Sequence, residues 1–193
     1  IIIPSQITTI MAYAFINSNG AKSLVIPDTV TTINDNAFEN FQSLEEVTIG
    51  NGITKIASCL FLNCPKLKTV TFKENCKATY IGDHCFAICI SLTSINIPNS
   101  VTKIYESAFH SCDSLETIEI PGSVSEMSDD VFYKCSSLTS VTLNDGIIKL
   151  GHQMFFECHN LKSIINHLLL SILKDLLQGL DNDSICHGIG VHF

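Results

Sequence analysis

The sequence predicts a β-dominated solenoid of seven stacked coils, and three columns of residues predict it. Phenylalanine recurs at Phe15, Phe38, Phe61, Phe86, Phe109, Phe132 and Phe155, in steps of 23, 23, 25, 23, 23 and 23 residues. Cysteine follows three residues later at Cys64, Cys89, Cys112, Cys135 and Cys158, with Ser18 and Phe41 in that place in the first two units. Leucine follows three further on at Leu44, Leu67, Leu92, Leu115, Leu138 and Leu161, with Ala21 in the first unit. A fixed period held over seven units is the mark of repeats that stack, because one unit alone cannot bury its apolar face.

Each element of the unit has its own signal. The unit from Ile97 to Ile120 reads IPNSVTKIYESAFHSCDSLETIEI. Its end, Leu115-x-x-Ile118-x-Ile120, alternates apolar and polar, which predicts a strand with one face inward. Val101 to Ile104 supplies a second, shorter extended piece. Between them, Ala108, Phe109, Cys112 and Leu115 follow spacings of three and four, which predicts a short helical or 3₁₀ turn. Pro98 and Pro121 mark the corner after the main strand, and Gly50 and Asn144 mark it where proline is absent. The stretch KENCKATY carries two extra residues between Phe72 and Ile81 and should bulge at a corner.

The repeat stops near Asn166. Residues 167–180 place Leu169, Ile172, Leu173, Leu176 and Leu180 at helical spacing, with Lys174, Asp175 and Gln178 opposite. This predicts a C-terminal helix that caps the last coil, or that receives another subunit. Residues 181–193 have little pattern and read as an irregular tail. The chain starts at Ile1 rather than Met and reads as a fragment or a processed chain. Ile1 to Ile3 enter the first coil directly. An open end of this kind invites pairing, so a homodimer through that end or through the C-terminal helix is expected.

The consensus P-x-x-V-T-x-I-x-x-x-A-F-x-x-C-x-x-L-x-x-I-x-I, over residues 3–166, resembles the BspA-like, treponeme-type leucine-rich repeat. The resemblance implies a right-handed leucine-rich-repeat solenoid with its main parallel sheet on the concave side. It also implies the roles of similar proteins: surface adhesion, host-matrix binding and protein interaction. It brings no catalytic residues. Departures from the pattern are Ser18 and Phe41 in the cysteine column, and Cys59-Leu60 and His84-Cys85 near the alanine position.

Composition narrows the partners. The net charge is −8, with 11 Lys and Arg against 19 Asp and Glu. Nucleic acid and anionic membranes reward the opposite sign, so neither is expected as a partner. The apolar stretch Leu168 to Leu173 is far too short to span a bilayer.

The nine cysteines look like chemistry and read better as packing. Parallel stacked side chains point the same way, which is poor disulfide geometry. The spacing lacks the close ligand pairs of zinc sites. Phe41 in the same column fits a core position and not a ligand. Cys59, Cys76 and Cys85 lie off the column, with a contact between Cys59 and Cys85 conceivable from their positions. Cys186, His187 and His192 form only a weak metal set. His84, His110, His152 and His159 sit near the turn as polar surface residues. No G-x-S-x-G elbow or phosphate-binding glycine loop is present. Asp129-Asp130 reads as a solvated turn, and Asp181-Asn182-Asp183 lacks the Gly and Glu of a calcium loop. No catalytic residue, metal site or cofactor is therefore expected.

The outward positions of the main strands are the candidate site. One column reads Ser23, Glu46, Thr69, Ser94, Thr117, Ser140, Ser163, and the next Val25, Thr48, Thr71, Asn96, Glu119, Thr142, Ile165. Glu46, Thr48, Thr69, Thr71, Ser94, Asn96, Thr117, Glu119, Ser140 and Thr142 form the candidate concave binding face. Threonine and serine suit any exposed strand, but they also make a rigid recognition surface. A further column, Thr8, Thr31, Thr54, Thr102 and Ser125, resembles an ice-binding row but is interrupted by Lys55, Lys103 and Glu126.

The expected function is non-catalytic: a protein-interaction module, adhesive at the cell surface, whose protein partner carries glycans in some cases. The alternative is an intracellular scaffold that positions a phosphatase or kinase. The resemblance favours the surface, and the unpaired cysteines favour the cytoplasm.

Overall fold

Each unit closes into one turn of a parallel β-solenoid, in a computed structural model that describes residues 1–166 and 190–192. Coil one carries β1 (Thr9–Ile10) and β2 (Ser23–Ile26), and coil two β3 (Thr32–Ile33) and β4 (Glu46–Ile49). Coil three carries β5 (Thr69–Phe72), and coil four β6 (Tyr80–Ile81) and β7 (Ser94–Ile95). Then come β8 (Lys103–Ile104) with β9 (Thr117–Ile120), β10 (Glu126–Met127) with β11 (Ser140–Leu143), and β12 (Lys149–Leu150) with β13 (Ser163–Asn166). A last strand, β14 (Gly190–His192), follows.

All pairing is parallel and joins equivalent residues of successive coils. The main strands form two sheets, β2-β4-β5-β7 and β9-β11-β13-β14. The short strands form β1-β3 and β6-β8-β10-β12. An isolated bridge, Ile56 to Ile81, carries the short ladder through coil three. Alternation sets the register: Leu24, Val47 and Val70 face inward side by side, as do Ile118, Val141 and Ile164. A slip of one residue would turn every one of them to water.

The main sheet divides where proline removes a donor. After the main strand, the N–H groups of Gly50, Lys73 and Asn144 donate to the carbonyls of Ile26, Ile49 and Ile120 at 2.9, 2.9 and 3.1 Å. Pro98 and Pro121 have no N–H to give to Phe72 and Ile97. Pairing of β5 with β7 accordingly stops after Thr69–Ser94 and Val70–Ile95, and β7 and β9 lie side by side without a shared ladder.

The phenylalanine column is the spine of the core. Phe38, Phe61, Phe86, Phe109 and Phe132 have no exposed surface. Neighbouring rings from Phe15 to Phe155 stack at 5.1 to 5.7 Å between centroids, within 15° of parallel. Each such pair adds roughly 0.5–1.5 kcal/mol to the burial of the rings themselves.

The turn that carries these rings is not helical, and the described residues contain no helix. Two residues in each coil, one two before and one two after the phenylalanine, have positive φ. They are Asn36 (60°) and Asn40 (57°) in coil two, and Ser107 (53°) and Ser111 (55°) in coil five. A left-handed residue breaks the helical ladder and costs roughly 1–2 kcal/mol for a side chain other than glycine. The N–H groups gain partners in the next coil: Asn36, Phe38 and Asn40 donate to Ser58, Leu60 and Leu62 at 3.1, 3.1 and 2.8 Å. Intervening N–H groups fold back on their own coil, as Glu39 does to Asn36 at 3.2 Å. Helical spacing of side chains thus arises from a turn whose backbone alternates in hand and bonds between coils.

The expected C-terminal helix lies outside the described residues. Within the stretch expected to be irregular, β14 pairs in parallel with β13, with Gly190 beside Ser163 and Val191 beside Ile164. It adds one strand to the main sheet at an edge that would otherwise present unpaired backbone groups.

Candidate binding face

The register stacks the outward residues of the main strands into straight columns. Ser23, Glu46, Thr69 and Ser94 stand in line on the first sheet, and Thr117, Ser140 and Ser163 on the second. Beside them run Val25, Thr48 and Thr71, then Glu119, Thr142 and Ile165. Glu46, Thr69, Thr71, Ser94, Thr117 and Glu119 are exposed, and Thr48, Ser140 and Thr142 are half-buried. Asn96 is exposed too, but it lies just past β7 and is not paired across to Thr71. The break between β7 and β9 therefore divides the predicted face into two patches. Two contacts tie the second patch together. Ser163 Oγ donates to Ser140 Oγ at 2.9 Å, and Asn144 Nδ2 donates to Glu119 Oε1 at 2.8 Å.

The threonine row on the opposite ladder is not a free surface array. Its hydroxyls donate to carbonyls one coil back: Thr31 to Thr8, Thr79 to Thr54, Thr102 to Thr79 and Ser125 to Thr102, at 3.1 to 3.3 Å.

The cysteines behave as core residues with one polar task. Cys64, Cys89, Cys112, Cys135 and Cys158 are buried, and each thiol donates to the carbonyl of the phenylalanine one coil back at 3.0 to 3.3 Å. Burial pushes the Cys64 thiol up to about 12 and raises Cys85, Cys89 and Cys112 as well. A thiol held protonated is neither a nucleophile nor a metal ligand. Cys76 and Cys85 are also buried and free, and Cys59 is half-exposed and free. Among the described residues no group of three or more His, Cys, Asp or Glu side chains could hold a metal ion. The weak set at Cys186 and His187 lies outside them.

Sequence reasoning missed one polar cluster on the turn. His84, Ser107 and Asp130 occupy the same left-handed position in three successive coils, two residues before the phenylalanine. Ser107 is a buried polar residue, 5% exposed, and Asp130 Oδ1 is buried without a hydrogen-bond partner. Burial, then the charge of Asp129, raises the Asp130 carboxyl. His110 stacks on Tyr133 at 5.0 Å, and burial followed by its neighbour His84 lowers its affinity for a proton. Among the described residues no hydrogen bond joins these side chains to one another, so they lack the nucleophile–base contact of a triad. The signal available was the shared column position, which the variety of residues in that column hides.

A family model described as the BspA type leucine rich repeat region matches residues 1–79 and 76–177 with six copies. The chain belongs to that family. Solved members of the wider leucine-rich-repeat group share the fold of this BspA-type array. A leucine-rich repeat protein from Eubacterium ventriosum is 26% identical with a TM-score of 0.76, over 81% of this chain and 42% of its own. One from Bacteroides ovatus is 25% identical with a TM-score of 0.69, over 85% of this chain and 48% of its own. The T. pallidum leucine-rich repeat protein is 23% identical with a TM-score of 0.68, over 88% and 86%. The array thus spans under half the length of the first two. No curated protein matches the chain.

Proposed function

We propose that this BspA-type array is a non-catalytic protein-interaction module whose partner lies across the outward columns of the main sheet. The observation that carries the reading is the stacking of small, mostly uncharged polar side chains in register on a rigid parallel sheet. Such side chains lose little conformational freedom on binding, and the sheet holds them before the partner arrives. The reading extends to adhesion at a cell surface, by resemblance to the roles of similar proteins. The test is affinity capture with the immobilised array from extracellular-matrix proteins, repeated with Thr117→Lys. Capture by the parent and not by the variant supports the reading. Capture unchanged by Thr117→Lys moves the interface off this sheet.

A second reading, an intracellular regulatory scaffold, is favoured by the eight described cysteines, all free. Its partners would be a phosphatase or kinase rather than matrix proteins. Capture from a cytosolic extract that outcompetes the matrix arm would select it.

A further inference from the structure

The two-residue insertion opens a cavity, and we propose that it is a binding site for a neutral saccharide, adjoining the main-sheet face at Asn96. The cavity has a volume of about 370 Å³ and is lined by Phe72, Glu74, Asn75, Asn96, Asn99 and the corner around Pro98. This size falls within the roughly 300–1,000 Å³ of small-molecule clefts.

Three departures from the repeat build it together. The insertion loop, Lys73 to Tyr80, carries Asn75 at a φ of 58° and turns back so that Cys76 and Ala78 are buried beneath it. Pro98 withholds the N–H that would hold β7 against the end of β5, and pairing stops at Ile95. Phe72 stands where Ile26, Ile49, Ile120 and Leu143 are fully buried, and it remains partly exposed along the cavity wall.

The lining matches sugar chemistry. A sugar hydroxyl is both donor and acceptor, and it needs partners of both kinds side by side. The carboxamides of Asn75, Asn96 and Asn99 each offer an N–H₂ and a carbonyl oxygen, and Glu74 offers a carboxylate. Phe72 supplies the apolar surface on which the C–H face of a pyranose can rest. The charge balance selects a neutral ligand. Lys73 Nζ is paired with Asp28 at 3.0 Å, and among the described residues no cation pairs with Glu74, so the charge left lining the cavity is negative and disfavours anions. Asn96 joins the cavity to the edge of the main-sheet face, so a glycan branch of a protein bound there would have its end within reach.

The test uses saturation-transfer difference NMR of the whole chain with glucose, mannose, galactose and N-acetylglucosamine, followed by a glycan array. At least one neutral sugar should receive saturation from the protein. Asn75→Gly keeps the left-handed turn and removes the amide, and Asn99→Ala removes a second amide from an exposed position. Each should weaken the sugar by about tenfold, the loss of one good polar partner, with an unchanged melting temperature. Ser140→Lys, on β11 and two coils along the main sheet from Asn96, should weaken a partner on that face and leave sugar binding intact, so the failure of either proposal is read separately. The proposal is overturned if none of the four sugars nor any neutral glycan on the array binds. It is overturned equally if binding ignores both asparagine variants, or if sulfated or sialylated glycans bind in preference to neutral ones.

Discussion

The thiol of Cys112 donates to the carbonyl of Phe86, 3.2 Å away and one coil back. The same carbonyl already accepts the N–H of Cys89 within its own coil at 3.2 Å. A single buried oxygen is thus shared between a turn and the coil that stacks on it. Cysteine suits the place because its side chain is small, apolar and a weak donor. In coil two Phe41 fills the position, fully buried, with bulk in place of the donor.

The first prediction follows from that bond. Cys112→Ala should cost about 1–2 kcal/mol in urea unfolding, from a lost hydrogen bond and a small void. Cys112→Ser should recover part of it, because a hydroxyl can donate to the same carbonyl. Equal losses for the two variants would mean that the sulfur contributes through volume alone.

Removing the ring from the spine should be more costly. Phe109→Ala leaves a void between the rings of Phe86 and Phe132, which stack on it at 5.4 and 5.5 Å. The expected loss is about 3–5 kcal/mol. An unchanged thermal melt would contradict the stacked column.

Thiol reactivity should separate the cysteines by position. With a maleimide at pH 8 and peptide mapping by mass spectrometry, Cys59 should label ahead of the other seven described cysteines. It is half-exposed, whereas they are buried. Labelling of Cys89 or Cys112 at the rate of Cys59 in the folded protein would contradict their burial.

Acid should weaken one link between coils in a defined window. Hydrogen bonds from Lys68 and then Lys22, at 2.9 and 3.0 Å, lower the Glu45 carboxyl from 4.5 to about 2. A carboxyl lowered on folding stabilises fully above its unfolded value and loses that contribution as pH falls toward its folded value. Stability should therefore decline between about pH 4.5 and 2, and Glu45→Gln should flatten that part of the curve. Urea midpoints taken across the range check it. A variant with the parent's slope would show that the pair adds nothing.

The columns were legible because burial acts on side chains. A stacked solenoid needs an apolar residue at each inward place, so Phe109, Cys112 and Leu115 recur and can be counted. The outward columns followed from the same alternation, and Thr117 and Ser140 stand where it put them. The backbone of the turn was not legible. Its left-handed places include Asn17, Asn36, Asn40, Asn63, His84 and Asp130, of types enriched at positive φ, but also Tyr13, Cys59, Ile88, Ser107, Ser111, Lys134, Gln153 and Glu157, which are not. Backbone bonds to the next coil fix that conformation whatever the side chain, so residue type carries only a partial trace of it. The division of the main sheet did have a signal, in Pro98 and Pro121. It reads as a missing donor only once the coil-to-coil bonds of Gly50, Lys73 and Asn144 are known. The insertion was visible as extra length at a corner, but the hollow beside it depends on where Phe72 and Asn99 end up in space.

The N–H groups of the turn that leave their own coil all point toward the following one, and this gives the rod a sense, like an arrow. Translation by one coil maps the pattern onto itself, while reversal does not. A coil stacked in reverse would set carbonyl against carbonyl along this strip. A coil stacked in the same sense meets donors with acceptors, as Phe38 N–H meets the Leu60 carbonyl, so every added repeat must run the same way as the last.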